Sequence, residues 1–298
     1  MAPAEKRNLA SEVREFLSTR RARITPQQAG LRVYGGQRRV PGLRREEVAL
    51  LAGMSVDYYV RLERGNLSGA SDAVLEALAH ALQLDEAERT HLYDLARAST
   101  ASGRRPAATT SQVRPTLLRL LDSMADVPAF IRNRRFDVLA ANALGRALYA
   151  PLFDSPLFAQ RGPVNSARFL FLDPASQDFW VDWHKGADDA VAFLRTETGK
   201  APYDKALTDL IGELTTKSDE FARRWAHHDV KFHRSGLKRL RHPLVGELAL
   251  PYEAMELPAD PGLRLNFYTP EPDSRERDAL DLLASWAGTG TVIPAASD

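Results

Sequence analysis

The 298 residues contain no cysteine. That excludes disulfides, thiolate metal sites and cysteine nucleophiles, and it fits a reducing compartment. No run approaches 18 apolar residues and no apolar signal core opens the chain, so the sequence predicts a cytoplasmic protein with no membrane partner. Nor is there a GxSxG elbow, a GxGxxG turn, a Walker loop or an HExxH helix. "GTGTV" near the C-terminus is too short and too late to cradle a phosphate. His227, His228, Asp229 and His233 lie close in sequence, but their spacing does not converge on one helical face. Asp188 and Asp189 are neighbours on a helix, point apart and read as solvent-facing charges. The expectation is therefore no catalytic residue, no metal and no cofactor.

Net charge is also nearly absent, with 40 basic and 39 acidic residues. The balance hides an asymmetry. Residues 1–105 hold 17 basic and 13 acidic side chains, and residues 106–298 hold 23 and 26. Between Arg20 and Arg64 there are ten basic residues, all Arg, against four acidic ones. A local Arg excess followed by a mildly acidic remainder implies that one half meets a polyanion.

What is present divides in two. Asn8 is placed to cap a helix with Leu9, Val13, Phe16 and Leu17 on one face. An Arg- and Gly-rich stretch reads as an extended connection. Two short helices follow, then one capped by Ser71 and one opened by the Asp85/Glu88 capping box, ending near Ala98. "STASGRRPAATTSQ" has linker composition. Beyond it come a strand, a turn at Asn133, a second strand and a helix from Asn142. "RFLFLDP" reads as a strand, and Trp180, Trp183, Ala187, Val191 and Leu194 as one helix. Further helices carry Leu207 to Leu214 and Phe221 to Trp225. About three strands broken by His242-Pro243 and Asp260-Pro261-Gly262 precede a helix capped by Ser274 and bearing Leu280, Leu283 and Trp286. This order predicts an α+β second domain. The boundaries expected are 1–98 for the head, 99–112 for the linker, 113–287 for the second domain and 288–298 for a tail.

The stretch "LRREEVALLAGMSVDYYVRLERGN" explains the two clipped helices. Counting Arg45 as one, Ala49 is fifth, where a crossing helix needs a small residue, and Gly53 is ninth, where a turn wants positive φ. Val48, Ala52, Met54, Tyr59 and Leu62 hold the crossing angle, and Ser55 stands at an N-cap. This is the spacing of a helix-turn-helix, whose second helix enters a major groove. The expected DNA-contacting residues are Arg38, Arg39, Arg44, Arg45, Ser55, Val56, Asp57, Tyr58, Val60 and Arg61. Arg61 suits guanine, Asp57 cytosine N4, and Arg45 a phosphate. One recognition helix touches too few base pairs to find a site, so a homodimer on an inverted repeat of double-stranded DNA is expected.

"RRVPGLRREEVALLAGMSVDYYVRLERG" resembles the XRE-type helix-turn-helix of bacterial regulators. "NRRFDVLAANALGRALY", "NSARFLFLDP", "WVDW", "LIGEL", "SDEFARRWAHHDV", "HPLVGEL" and "LLASWA" resemble, in order, the MmyB-like ligand-binding domain. The resemblance implies a transcription regulator, with a lambda-repressor-like five-helix head and a PAS-like second domain holding a small-molecule pocket. The resemblance and the many apolar side chains together point to a small apolar or fatty-acyl-like effector. Phe130, Leu144, Phe169, Trp183, Trp225, Tyr252 and Phe267 are the expected lining, with Tyr252 or Arg168 at a polar head group. The leading expectation is an effector-responsive repressor. An enzyme with a DNA-targeting head, and an interaction module that uses the helix-turn-helix for assembly, stay open on sequence.

Overall fold

The computed structural model describes residues 3–31, 40–100, 112–159, 163–227 and 235–288. Five helices open the chain: α1 (Pro3–Arg23), α2 (Arg45–Leu51), α3 (Val56–Glu63), α4 (Asp72–Ala81) and α5 (Glu86–Thr100). α1 starts upstream of the cap expected at Asn8. Pro suits a first helical position, and the Ala, Glu, Lys and Arg that follow are strong helix formers, so the helix runs through Asn8. The face bearing Leu9, Val13, Phe16 and Leu17 is buried, against Val48, Tyr59, Leu62, Leu78, Leu92 and Leu95. Ser71 accepts from the Val74 N–H at 3.4 Å, and Asp85 and Glu88 exchange side-chain to backbone bonds at 2.9 and 3.1 Å. Glu88 also pairs with the buried Arg20 at 3.0 Å, which ties the start of α5 to the end of α1. The connection after α1 is a turn over residues 26–30, not the extended segment expected, and Arg32–Arg39 lie outside the described residues.

The second domain is built on five antiparallel strands: β1 (Ala129–Asn133), β2 (Val138–Ala141), β3 (Ser235–His242), β4 (Gly246–Glu256) and β5 (Leu263–Tyr268). Their order is β2-β1-β5-β4-β3, the α+β, PAS-like arrangement expected. The helices of this stretch of the chain are α6 (Pro115–Ser123), α7 (Ala143–Leu148), α8 (Ala150–Phe153), α9 (Ser166–Leu172), α10 (Ala175–Phe179), α11 (Trp183–Lys200), α12 (Lys205–Lys217), α13 (Asp219–Trp225) and α14 (Arg275–Gly288). Asn142 caps α7. Its Oδ1 accepts from the Gly145 and Ala129 N–H groups at 2.7 and 3.1 Å, and its Nδ2 donates to two carbonyls.

Side chains alternate across the sheet. On one face Ala129, Ile131, Leu263 and Leu265 pack with Leu117 and Leu121 of α6. On the other Phe130, Tyr252, Ala254 and Tyr268 join Leu144 and Leu148 of α7, Phe169, Phe179, and Leu280 and Leu283 of α14.

Several local expectations change. "RFLFL" belongs to helix α9, because Asn165 accepts from the Arg168 N–H at 2.9 Å and caps it. A short apolar run carries no period that separates strand from helix. α11 begins at Trp183, and Trp180 instead forms a bridge with Leu240 of β3. Trp286 of α14 is 39 % exposed. Asp189 is buried, not solvent-facing, with Lys185 one turn away at 3.4 Å.

The chain divides into two compact units. One holds α1 to α5 with residues 191–208 and 223–227. The other holds the sheet, α6 to α10, the first half of α11, α12 from residue 209, the start of α13, and α14.

Candidate functional site

In the first unit, α2 and α3 are joined through Ala52, Gly53, Met54 and Ser55. Gly53 has φ of +63°, the left-handed conformation expected at the ninth position. Ala49 is buried where the helices cross. The Ser55 hydroxyl accepts from the Tyr58 N–H at 3.2 Å, which caps α3. Gly65 follows the C-cap of α3, and its backbone lies so close to α1 that a Cβ there would sit 2.4 Å from the Ala10 carbonyl oxygen.

A buried carboxylate fixes the angle between these helices. Glu63, at the end of α3, is 2 % exposed and accepts from Arg21 of α1 at 2.7 Å. It also accepts from Arg45, the first residue of α2, and from the Tyr59 hydroxyl. Three helices thus meet on one anion. The pairing raises the Arg45 pKa, by its hydrogen bond to Glu63 and by that charge. Burial raises the Tyr59 phenol, reinforced by Glu63.

The outer surface of the clamp carries most of the residues expected there. Ser55, Val56, Asp57 and Arg61 are exposed, and Tyr58 and Val60 are half-buried. The Arg61 guanidinium lies over the Tyr58 ring, 4.8 Å from its centroid. That contact preorganises a long side chain at the surface. Arg44 is exposed, and its backbone N–H donates to Glu47 Oε2 at 2.6 Å at the start of α2. Arg38 and Arg39 lie outside the described residues, as do the linker at 101–111, the "GTGTV" segment from 289, and His228, Asp229 and His233.

The second unit holds a cavity of about 70 Å³ on the face of the sheet opposite α6. Phe130 and Tyr252 line it, as expected. The other nominated residues do not. Leu144 and Phe169 are buried in the core beside it. Trp183 donates its indole N–H to the Leu170 carbonyl and to Ser176, both at 3.1 Å. Trp225 belongs to the first unit, under the Arg195 guanidinium. Phe267 packs on the α6 face, because it alternates with the residues that point into the cavity. Arg168 pairs with Glu213 at 2.9 Å and is not among the residues that line the cavity.

The walls that the sequence reading missed are mostly aromatic: Phe136, Tyr149, Trp180 and Tyr268. The floor is polar. Arg132 of β1 and Asn266 of β5 reach it, and both are nearly fully buried. Phe130 pairs with Asn266, Arg132 with Arg264, and Tyr252 with Tyr268 in the register, which puts these side chains on one face. The Arg132 guanidinium lies 4.2 Å from the Phe136 ring centroid. Burial, with Arg264 beside it, lowers its pKa to about 10. The Tyr149 and Tyr268 hydroxyls bond to each other, and burial raises both phenols. Burial also pushes Tyr252 up to about 12. The signal for this floor was in "RLNFY": its inward positions in a central strand are Arg264, Asn266 and Tyr268. Polar side chains facing inward there mark a site more sharply than apolar ones do.

A helix-turn-helix with outward-facing side chains and a sheet domain with a cavity fit a DNA-binding transcription regulator with a ligand-binding domain. The family pattern described as helix-turn-helix domain matches residues 13–92, and that of the MmyB-like transcription regulator ligand binding domain matches residues 113–283. The chain belongs to the MmyB-like transcription regulators. No curated protein matches it. Among the described residues no helix is long and apolar enough to cross a membrane.

Proposed function

We propose that this regulator is a cytoplasmic repressor that binds an inverted-repeat operator as a homodimer and is controlled by a small, largely apolar effector held in the second domain. The observation that carries the proposal is an aromatic-walled cavity in a domain of the same chain as an exposed recognition helix. Ser55, Val56, Asp57, Tyr58, Val60 and Arg61 meet base edges, and Arg38, Arg39, Arg44 and Arg45 meet phosphates. The head corresponds to residues 1–98 and the sensor to 113–287, joined by 99–112, with a tail from 288.

Two-fold pairing roughly doubles the base contacts, with half-site centres about 34 Å apart or a multiple of that. Effector control requires that the ligand favour one arrangement of the dimer. A coupling of about 1–3 kcal/mol changes operator affinity by roughly 5- to 150-fold. The test is fluorescence anisotropy on labelled duplex recovered by selection from random sequence, with and without candidate effectors, across a salt series. Steep loss of binding with salt and a two-fold symmetric footprint support the reading. A single asymmetric half-site, or DNA affinity indifferent to every bound effector, overturns it.

A further inference from the structure

We infer that small molecules reach the cavity of the second unit between the start of α11 and the edge strand β3, through a mouth that Gly186 keeps open. The inference rests on the effector reading above and names the way in to that site. Place in the fold is the first argument. β3 is the outermost strand of the order β2-β1-β5-β4-β3. Its outer side meets the segment leading into α11 at two points. Trp180 and Leu240 form a bridge, and the Val181 N–H donates to the Arg239 carbonyl at 3.2 Å. A small recess opens beside them, lined by Asp182, Lys185, Leu237 and Arg239. All four are exposed. Asp182 and Arg239 pair at 3.3 Å and so join the two elements at the rim. Trp180, Gly186 and Lys238 line this recess and the cavity alike. The two spaces therefore adjoin, with solvent at one end and the buried Phe130 and Tyr149 at the other.

Gly186 is the second argument. It sits inside α11, and Gly is among the least favourable residues in a helix interior. A helix tolerates Gly where another group presses on its backbone. Gly199 of the same helix is such a place, since a Cβ there would sit 2.5 Å from His91. Nothing of the kind holds at Gly186. Its backbone is ordinary helix, and a Cβ there would meet no heavy atom within 4 Å among the described residues. The space left empty is the junction of recess and cavity, which Gly186 lines on both sides. A larger side chain would stand in the passage without disturbing any packing. Trp180, a second wall of that junction, is able to turn. Its Nε1 is buried with no hydrogen-bond partner among the described residues, so swinging the indole aside breaks no bond there and gives the N–H to water.

The experiment uses the lack of cysteine, which makes any introduced thiol unique. It measures alkylation by iodoacetamide of the full chain carrying Ala190→Cys, a buried position in the cavity lining. Adding Gly186→Leu should slow alkylation roughly tenfold or more, because the reagent then waits for local unfolding. The same change at Gly212 of α12, where a Cβ would also meet nothing within 4 Å, should leave the rate unchanged. The thermal midpoint of the Gly186→Leu protein should not fall, since Leu is the better helix former, and a loosened fold would speed alkylation instead. Should Ala190→Cys fold poorly, Ala167→Cys on α9, also in the lining, repeats the reading. Equal rates with and without Gly186→Leu, or equal slowing by Gly212→Leu, overturn the inference and leave the effector reading standing. Protection of the thiol by tetradecanoate or by members of a wider apolar library tests that reading separately. If none protects while the Gly186→Leu effect persists, the mouth stands and the effector reading falls.

Discussion

Glu63 shows how one side chain ties three helices together. Its buried carboxylate holds Arg21, Arg45 and Tyr59 together. Arg45 is 55 % exposed in its side chain, so it also faces outward at the start of α2, where a phosphate would sit. Arg45→Ala should weaken binding to all duplexes alike and lower the salt slope by about one. It should also lower the thermal midpoint, by roughly 1 kcal/mol of stability, a figure discounted because the arginine is half in solvent and Arg21 remains. Arg61 rests only on the Tyr58 ring among the contacts described. Arg61→Ala should therefore cost about 1–3 kcal/mol on the preferred site with the melting curve unchanged. Equal losses on specific and random DNA would remove its role as a base reader. Glu12 gives a pH test. Burial alone would raise its carboxyl, but His91 and Arg195 outweigh that and bring its pKa from 4.5 to about 2. The folded value lies below the unfolded one. The stabilisation, about 3 kcal/mol, is thus fully present above pH 4.5 and disappears as pH falls toward 2. The urea midpoints of wild type and Glu12→Gln should converge over that window, and a constant gap would contradict the assignment.

The elements that local chemistry dictates were legible in the sequence. Ser55, Ser71, Asp85 with Glu88, Asn142 and Ser274 all cap helices as their positions suggest. The helix-turn-helix reads clearly because its requirements fall within a score of residues. Gly53 is the sharpest of these. A Cβ there would meet nothing within 4 Å, so the cost of substitution is purely conformational. Gly53→Ala should destabilise the head by about 1–2 kcal/mol and Gly53→Asn by less, since Asn tolerates positive φ. Equal melting of all three proteins would show that the turn does not depend on that backbone state. The sheet's two faces were harder. Phe267 was chosen for its apolar ring, yet the strand's parity sends it to α6 while Asn266 and Tyr268 face the cavity. Parity needs register, and register depends on strands distant in the chain. The strand expectation at α9 fails because five apolar and basic residues show no period of their own. Arg132 escaped notice because a lone Arg in a strand reads as a solvated edge until its burial is known.

At the scale of the molecule, α11 belongs to both units. Gly186, Asp189 and Ala190 line the cavity of one. Arg195 and Gly199 belong to the other, where Arg195 donates to Glu12 at 2.7 Å and to the Trp225 carbonyl at 2.5 Å. A Cβ at Gly199 would sit 2.5 Å from His91, so that helix and α5 meet without room for a side chain. Gly199→Leu should destabilise the unit that contains α1 to α5, although the substitution lies over a hundred residues downstream of the helix-turn-helix. A thermal melt that loses helical signal earlier, by more than about 1 kcal/mol, is the expected result. An unchanged melt would mean that the close approach is not maintained in solution.

The same arrangement bears on how freely the two halves can be recombined. A fragment ending after α5 carries Glu12 and His91 but neither Arg195 nor Trp225, so it keeps an acid in a half-built setting. Fusing these five helices to a foreign sensor would transplant the same deficit. On the proposed boundary of 1–98 for the head, moving it intact would also mean moving the stretches at 191–208 and 223–227 that pack with α1 to α5.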